Sequence, residues 1–326
     1  MRILVRATNW LGDAIMCLPA LQALRASHPT AHIAILGPSW ISDLYRGETF
    51  CNETIVYPKE RGARNLAAKW QLARELRGRF DVALLLQNAF EAAAFARAAG
   101  IPQRIGFDRD GRGWLLTHPV PTAIVGHERF YYLELLKQSG LIAGYDALAP
   151  IRLSSVTKKD FGRRVIGISP GAAFGSAKRW YPDRFAQAAA IVAQERGASV
   201  ALFGSASEQE LVALVERDLI ALGIEVENFA GRTELRQFLE LCAGCELMLT
   251  NDSGAMHVAY AVGTPSVTVF GSTDPIGTGP VGETAKIVRE PVDCSPCKLR
   301  ECPIDHRCMT RISADRVART ALELLK

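Results

Sequence analysis

Three stretches of the sequence place polar side chains directly behind short buried runs, where an α/β protein carries its chemistry. The first is NWLGDAIM, in which Asp13 lies between a β-rich run and an apolar helical segment. The second is the turn NDSG (251–254), with His257 one turn later on the same helix face. The third is the loop PGAAFGSAKRW, which carries Lys178 and Arg179. A carboxylate can act as a general base, and cations beside a helix N-terminus can hold phosphate.

The segment at 247–270 predicts a buried strand, a tight turn and a helix that Gly263 stops. A helix in this position directs free backbone N–H groups and the positive end of its dipole toward the edge of the sheet. The alternative is that Asp252 or Ser253 only caps the helix. A second turn of small residues, GSTDP at 271–275, follows the adjacent strand and favours phosphate binding.

The loop PGAAFGSAKRW follows a predicted strand at 165–169. It is not a P-loop, because it lacks the glycine spacing and the adjacent Lys-Ser/Thr pair. Lys178 and Arg179 could neutralise a diphosphate there without a metal ion. Loop charges that face solvent and bind nothing are the alternative for both residues.

Short β-branched runs alternate with helix-length segments along nearly the whole chain. This alternation predicts βαβ units and parallel sheets. The predicted strands are Ile3–Val5, Ile33–Leu36, Thr54–Val56, Val82–Leu86, Arg104–Gly106, Val165–Ser169, Ser199–Phe203, Glu225–Asn228, Leu247–Thr250, Ser266–Phe270 and Lys286–Val288.

The alternation pauses between about Gly140 and Arg163, which predicts a domain boundary. We therefore expect two doubly wound α/β domains, at 1–155 and 156–311, followed by a closing helix at 312–326 with Ser313 as its N-cap. Ligands are expected at the carboxyl ends of the strands and in the cleft between the domains.

The composition is that of a folded globular protein, since 48% of the 326 residues are hydrophobic and 22% are charged. No stretch is apolar enough to cross a bilayer or to serve as a signal peptide, so we expect a cytosolic protein.

Residues 1–160 hold 20 Lys and Arg against 14 Asp and Glu, whereas the rest hold 18 against 20. The basic half is either a solvated face or a surface for an anionic partner such as a phosphorylated lipid or a nucleic acid.

Four cysteines lie close together in a C-x₂-C-x₄-C-x₅-C pattern: Cys294, Cys297, Cys302 and Cys308. They could form a structural zinc or iron–sulfur site, although the spacing matches no standard zinc module. Packing thiols or a reversible disulfide are the alternatives. Cys242 and Cys245 form another C-x₂-C at the end of a predicted helix, where a low-pKa redox role is not expected.

Three motifs together resemble the heptosyltransferase family, glycosyltransferase family 9: LGDAIMCLPALQALRASHP, PGAAFGSAKRWYPDRF and NDSGAMHVAYAVGTPSVTVFGSTDP. Within that family the chain is most similar to the group that adds the second heptose to the lipopolysaccharide core. The resemblance covers nearly the whole chain and implies a GT-B fold, with two facing Rossmann-like domains, parallel sheets and an interdomain cleft. It also implies inverting transfer of L-glycero-D-manno-heptose from ADP-heptose, held by the C-terminal domain, to heptosyl-Kdo2-lipid A, held by the N-terminal domain.

The resemblance implies roles for individual residues. Asp13 would be the general base, with a helix N-cap as its structural alternative, and Lys178 would hold the donor phosphates and assist the departure of ADP. Ala172 and Ala173 stand where some relatives have hydroxyl residues, so any hydroxyl contact to phosphate there would be lost or replaced by backbone N–H groups. Glu208, after the strand at 199–203, is assigned to the ribose or adenine. The donor-binding set is Gly12, Ala172, Ala173, Lys178, Arg179, Glu208, Asp252, Ser253, Gly254 and His257.

The basic front half supplies candidates for the phosphates of the acceptor glycolipid: Arg61, Arg64, Arg109 and Arg112. We expect no cofactor or metal ion to be required for catalysis, and no nucleic-acid partner. We also expect a monomer that lies peripherally on the cytoplasmic face of the inner membrane.

Other functions compete with this one. A GT-B protein that uses another sugar nucleotide or acceptor, including the one for the first heptose addition, or a sugar-nucleotide epimerase would share the architecture. A dinucleotide-dependent oxidoreductase would show G-x-G-x-x-G after its first strand, and LVRATNWLGD does not. A nucleic-acid-binding protein would explain the basic half but leave Asp13 and the NDSG turn without a role.

Overall fold

The chain folds as two compact units, Met1–Ser155 and Val156–Lys326. The structure is a computed structural model that describes residues 1–59, 62–122 and 126–326. Within these residues, no helix combines the length and the apolar composition needed to pass through a membrane.

The first unit is a six-stranded sheet in the order β3-β2-β1-β4-β5-β6, and every neighbouring pair is parallel. Its strands are β1 (Arg2–Arg6), β2 (His32–Gly37), β3 (Glu53–Val56), β4 (Val82–Leu85), β5 (Gln103–Phe107) and β6 (His118–Val120). Its helices are α1 (Leu11–Met16), α2 (Leu18–Ser27), α3 (Ile41–Leu44), α4 (Gly62–Glu75), α5 (Phe90–Ala98) and α6 (Glu128–Gln138), with a short 3-10 helix at Gly113–Leu115.

The second unit is also a six-stranded parallel sheet, in the order β12-β11-β10-β7-β8-β9. Its strands are β7 (Val165–Ser169), β8 (Ser199–Leu202), β9 (Val226–Asn228), β10 (Leu247–Asn251), β11 (Ser266–Phe270) and β12 (Ala285–Arg289). Its helices are α7 (Pro182–Arg196), α8 (Gln209–Ala221), α9 (Leu235–Gly244), α10 (Gly254–Val262), α11 (Pro275–Thr278), α12 (Arg307–Thr310) and α13 (Ala314–Leu324), with 3-10 helices at Ser176–Lys178 and Ala206–Glu208.

The central strands of the second sheet are buried along their whole length, as expected for strands covered by helices on both faces. In the register of these strands, Thr250 of β10 pairs with Ser169 of β7 and with Thr268 of β11. Because the three strands are parallel and in register, the loops that follow them emerge at one edge of the sheet. The residues after β7, β10 and β11 therefore meet there.

All eleven predicted strands are present, which confirms the βαβ alternation. The sequence analysis missed β6, a three-residue strand that contains Pro119 and pairs with β5 at one edge of the sheet. Proline lacks the N–H that a strand in the interior of a sheet needs, so in the sequence it argues against a strand. At the edge of a sheet it is tolerated. The predicted N-cap of the last helix is also confirmed, since Ser313 Oγ accepts a hydrogen bond from Arg316 N at 3.3 Å.

Candidate functional site

A buried carboxylate lies at the carboxyl end of β10. Asp252 is only 4% exposed, and its Oδ2 accepts hydrogen bonds from Lys178 Nζ at 2.6 Å and from Thr273 Oγ1 at 2.5 Å. Lys178 comes from the loop after β7 and Thr273 from the loop after β11, so three neighbouring strand ends meet at one carboxylate. The sequence analysis assigned Lys178 and Asp252 to a predicted donor site and did not assign Thr273, although the predicted GSTDP turn contains it.

The N-terminus of α10 lies directly behind Asp252. Ser253 occupies the N-cap position but makes no capping hydrogen bond, and its Oγ is buried without a partner among the described residues. The first turn thus lacks the side-chain cap that the alternative interpretation required. Free N–H groups and the positive dipole end of a nine-residue helix can bind an anion at Gly254. His257 lies one turn further along α10 and is half-buried.

Asn251 holds the loop after β7 in place. Its side chain is fully buried; Oδ1 accepts a hydrogen bond from Trp180 N at 2.9 Å, and Nδ2 donates to Pro170 O at 2.7 Å. One amide therefore fixes both ends of the loop that carries Lys178. The sequence quoted Asn251 as part of a turn and did not assign it to the site, because nothing in the local pattern indicates bonds to residues 71 and 81 positions away.

Replacing Asn251 with alanine should destabilise the protein by about 2–6 kcal/mol, because it leaves two buried backbone groups without partners at about 1–3 kcal/mol each. Chemical denaturation followed by circular dichroism measures this change. The control is Thr250→Val, which removes a single side-chain contact to Thr268 (3.2 Å) and leaves the loop untouched. Equal effects of the two variants would show that Asn251 is not the loop's anchor.

Arg179, which follows Lys178 in the sequence, makes different contacts. Arg179 donates hydrogen bonds from Nε and Nη2 to Ala172 O, at 3.3 and 3.2 Å. These bonds lie within the loop after β7 and stabilise its conformation. Ala172 is buried and Ala173 is exposed, so only the second of the two alanines presents its surface to solvent. The Lys178 ammonium also lies 5.0 Å from the centre of the Phe174 ring, within cation–π range.

Glu208 lies after β8, at the same edge of the sheet. Its Oε2 accepts hydrogen bonds from Ser205 N and Ser205 Oγ, both at 2.8 Å, which closes a capping box at the 3-10 helix. The other oxygen faces the loop after β7 so closely that a Cβ at Gly171 would lie 1.9 Å from Oε1. The carboxylate therefore has one oxygen in the capping box and one against the loop after β7.

In the first unit, Asp13 is the third residue of α1 and is half-buried. A carboxylate in a first helical turn interacts favourably with the helix dipole. Burial raises the pKa of the Cys17 thiol and of the Tyr132 hydroxyl, and the negative charge of Asp13 contributes to both increases. Gly12 precedes it in the same turn of α1.

The predicted acceptor arginines have unlike surroundings. Arg64 is exposed on α4, and Arg109 is partly exposed, with Nη1 3.4 Å from the Tyr131 hydroxyl and Nε 3.7 Å from Asp110. Arg61 lies outside the described residues. Two of the four arginines thus present a guanidinium that a solvent-borne anion could reach.

The prediction for Arg112 is corrected by its burial. The side chain is 0% exposed, and it donates to Phe107 O at 3.0 Å, to Asn88 Oδ1 at 3.0 Å and to Gln87 O. Burial lowers its pKa to about 10, so it stays charged at neutral pH. Arg112 holds together the ends of β4 and β5, and its fully buried guanidinium is not accessible to an acceptor phosphate.

The cysteines are free thiols. Among the described residues, no three His, Cys, Asp or Glu side chains form a group that could hold a metal ion, and this includes the four cysteines at 294–308. Cys294 and Cys297 are exposed, whereas Cys308 is buried; burial and the charges of the other three raise its pKa to about 11. Burial also raises the pKa of Cys245 to about 12, which opposes a redox role.

The architecture matches a solved structure along its full length. The ADP-heptose lipopolysaccharide heptosyltransferase II of E. coli superposes with a TM-score of 0.80 at 30% identity, covering 100% of this chain and 98% of the other. The two parallel sheets with alternating helices define the chain as a GT-B glycosyltransferase, and the predicted fold class is confirmed.

Sequence comparison gives the family. The model of glycosyltransferase family 9 (heptosyltransferase) matches residues 69–307. Lipopolysaccharide heptosyltransferase 2 of Escherichia coli (strain K12) is 33% identical over 89% of this chain and 88% of its own length. Lipooligosaccharide heptosyltransferase 2 of Haemophilus ducreyi (strain 35000HP / ATCC 700724) is 30% identical over 100% and 99%. The chain belongs to glycosyltransferase family 9.

Proposed function

We propose that this enzyme transfers heptose from ADP-heptose to the heptosylated Kdo2-lipid A of the lipopolysaccharide inner core, which is the second heptose addition. The observation that carries the proposal is the likeness, at 33% identity over 89% of the chain, to a lipopolysaccharide heptosyltransferase 2. The cationic edge of the second sheet, where Lys178 and the α10 N-terminus meet at Asp252, is consistent with a diphosphate-bearing donor.

In this proposal the unit Val156–Lys326 binds the donor, and the unit Met1–Ser155 binds the acceptor. The Asp13 carboxylate takes the proton from the acceptor hydroxyl as that oxygen attacks the anomeric carbon of heptose. The bond from the anomeric carbon to the phosphate oxygen breaks in the same displacement, and its electron pair leaves with ADP. A single displacement inverts the configuration at the anomeric carbon.

Lys178 and the N–H groups of α10 stabilise the charge that develops on the departing diphosphate. Glu208 binds the ribose of the donor, since an acidic residue after the second strand of a Rossmann-like unit is suited to ribose hydroxyls. Its Oε1, which is not used by the capping box, is the oxygen available for that contact.

The acceptor is a phosphorylated glycolipid, so we place the enzyme peripherally on the cytoplasmic face of the membrane that holds it. The first unit carries 18 Lys and Arg against 13 Asp and Glu, whereas the second carries 20 against 21. The excess positive charge of the first unit favours association with phosphates and with anionic lipid. Arg64 and Arg109 are the accessible candidates for acceptor phosphates.

A panel of donors and acceptors tests the proposal with purified enzyme. ADP-heptose should be used with a kcat/KM at least about 100-fold above that for UDP- or GDP-linked sugars, because a site that hydrogen-bonds one base leaves polar groups unpaired with another. Heptosyl-Kdo2-lipid A should be the preferred acceptor. Preference for Kdo2-lipid A without heptose would assign the first addition instead, and turnover only with another nucleotide would refute the donor.

A further inference from the structure

The segment 291–306, between β12 and α12, is here called the cysteine segment. Near its start it is fixed to the loop after β11: Ser295 Oγ donates to Gly271 O at 2.6 Å, and Lys298 N donates to Ser272 O at 2.7 Å. These bonds attach the cysteine segment to the turn that also supplies Thr273 to the Asp252 cluster.

Further along, the cysteine segment is fixed to the loop after β7. Ala177 N donates to Arg300 O at 2.9 Å, and His306 Nε2 lies 3.1 Å from Ala177 O. The two backbones approach so closely that a Cβ at Gly175 would lie 2.2 Å from Arg300 O. Because β11 and β7 lie on either side of β10, the cysteine segment crosses the carboxyl end of β10, where Asp252 lies.

The crossing brings one side chain of the cysteine segment to the phosphate-binding edge. The Arg300 guanidinium lies 5.1 Å from the centre of the Phe174 ring, and the Lys178 ammonium lies 5.0 Å from the centre of the same ring. Arg300 is exposed and forms no ion pair with another described residue. Its guanidinium is therefore a cation without an ion-pair partner among the described residues, and it contacts the same aromatic ring as Lys178.

The positive charges at this edge of the sheet do not balance the negative charges of a bound diphosphate. A donor diphosphate brings a negative charge on each of its two phosphoryl groups, whereas the Lys178 charge is already balanced by Asp252 at 2.6 Å. Arg179 uses two of its nitrogens to donate hydrogen bonds to Ala172 O. The α10 N-terminus supplies about half a unit of positive charge. Arg300 would supply the additional positive charge. A guanidinium is well suited to bind phosphate because it can donate two parallel hydrogen bonds.

We propose that Arg300 binds the diphosphate of the nucleotide-sugar donor, next to Lys178. The inference rests on the proposed function for the identity of the nucleotide, but its chemistry requires only a nucleoside diphosphate. The cysteine segment thereby acts as a strap that delivers a phosphate ligand from a part of the chain about 120 residues beyond Lys178. No family motif identified in the sequence contains Arg300.

A purely structural role makes a different prediction. The contacts that fix the cysteine segment use the Arg300 carbonyl, the Lys298 N–H, the Ser295 hydroxyl and the His306 ring, and none of them uses the Arg300 guanidinium. Arg300→Gln therefore keeps the anchors and removes only the charge and the contact with Phe174. A structural role would change the melting temperature, and a phosphate ligand would change the affinity for ADP.

Isothermal titration of the full-length enzyme with ADP tests the proposal. Arg300→Gln should weaken ADP binding about 10-fold, as expected for the loss of a hydrogen bond to a charged group, and leave adenosine binding unchanged. Arg300→Lys should recover part of the affinity. Lys298→Gln, the matched control, removes an exposed positive charge two residues away, and it should change the affinity less than about twofold because the side chain lies outside the described contacts.

The salt dependence of ADP affinity gives a second readout. Loss of a cation that touches phosphate flattens the plot of log Kd against log salt concentration, whereas local unfolding does not. Unchanged ADP affinity in Arg300→Gln, or equal losses in Arg300→Gln and Lys298→Gln, would overturn the proposal. If the wild-type enzyme binds UDP or GDP in place of ADP, the proposed function fails, and the same comparison is made with that diphosphate.

Discussion

Asp13→Ala should lower kcat for heptose transfer by about 10²–10⁴-fold, the usual contribution of a positioned general base, while the affinity for ADP stays within about twofold. A sugar hydroxyl is a poor nucleophile at neutral pH, and Asp13 is a half-buried carboxylate in the first turn of α1. The groups that we propose to bind the diphosphate belong to the other unit, so the substitution should not change the ADP affinity. Steady-state kinetics and calorimetric titration on the same preparation measure both quantities.

The control for this experiment is Asp13→Asn, which keeps the size and polarity of the side chain but cannot accept the proton. It should be as inactive as Asp13→Ala and should melt at the wild-type temperature. A carboxylate that serves only the helix dipole contributes about 0.3–1 kcal/mol. If Asp13→Asn keeps near wild-type kcat while Asp13→Ala is destabilised, Asp13 is a structural residue.

Lys178→Gln should lower kcat/KM by about 10²–10³-fold, the range measured when one group that stabilises transition-state charge is removed. Its ammonium lies at the edge where three strand ends meet, 2.6 Å from a buried carboxylate. Without the cation, Asp252 would be a buried negative charge beside an incoming diphosphate, so donor binding and turnover should fall together. Initial rates over a range of ADP-heptose concentrations, with ADP affinity measured separately, distinguish the two effects.

Thr273→Val is the matched control for Lys178→Gln. It removes the other hydrogen bond to Asp252 Oδ2 but leaves the ammonium in place, so it should cost less than about 10-fold in kcat/KM. Unchanged kinetics in Lys178→Gln would remove Lys178 from the site. An effect of Thr273→Val as large as that of Lys178→Gln would instead make the position of Asp252 the decisive feature.

The local structure around the proposed donor site could largely be predicted, because it depends on residues that are close together in the sequence. The run of buried residues at β10, the small residues after it and Gly263 at the end of α10 specify a strand, a turn and a helix within twenty residues. Asp252 and Lys178 each follow a predicted strand, and parallel strands bring such residues to one edge. Whether Ser253 caps α10 was open in the sequence, because its hydroxyl could turn either inward or to the helix.

The burial and the contacts of the Arg and Lys side chains could not be predicted from the sequence in the same way. Arg109 and Arg112 are three residues apart, yet one is partly exposed and the other is fully buried with hydrogen bonds to the ends of β4 and β5. Lys178 and Arg179 are adjacent, yet one meets Asp252 and the other braces Ala172. A count of basic residues assigns all four the same charge and says nothing about what each guanidinium or ammonium contacts.

The sequence by itself determined the alternation of strands and helices, the parallel sheets and the polar turns behind their strands, because hydrophobic period and turn residues act over a few neighbours. The tertiary structure alone decided that Asn251 holds the loop of Lys178, that Thr273 shares Asp252 and that Arg300 reaches Phe174. Those contacts join residues that are far apart in the chain. Their distances depend on how the strands pack side by side, and sequence spacing does not carry that information.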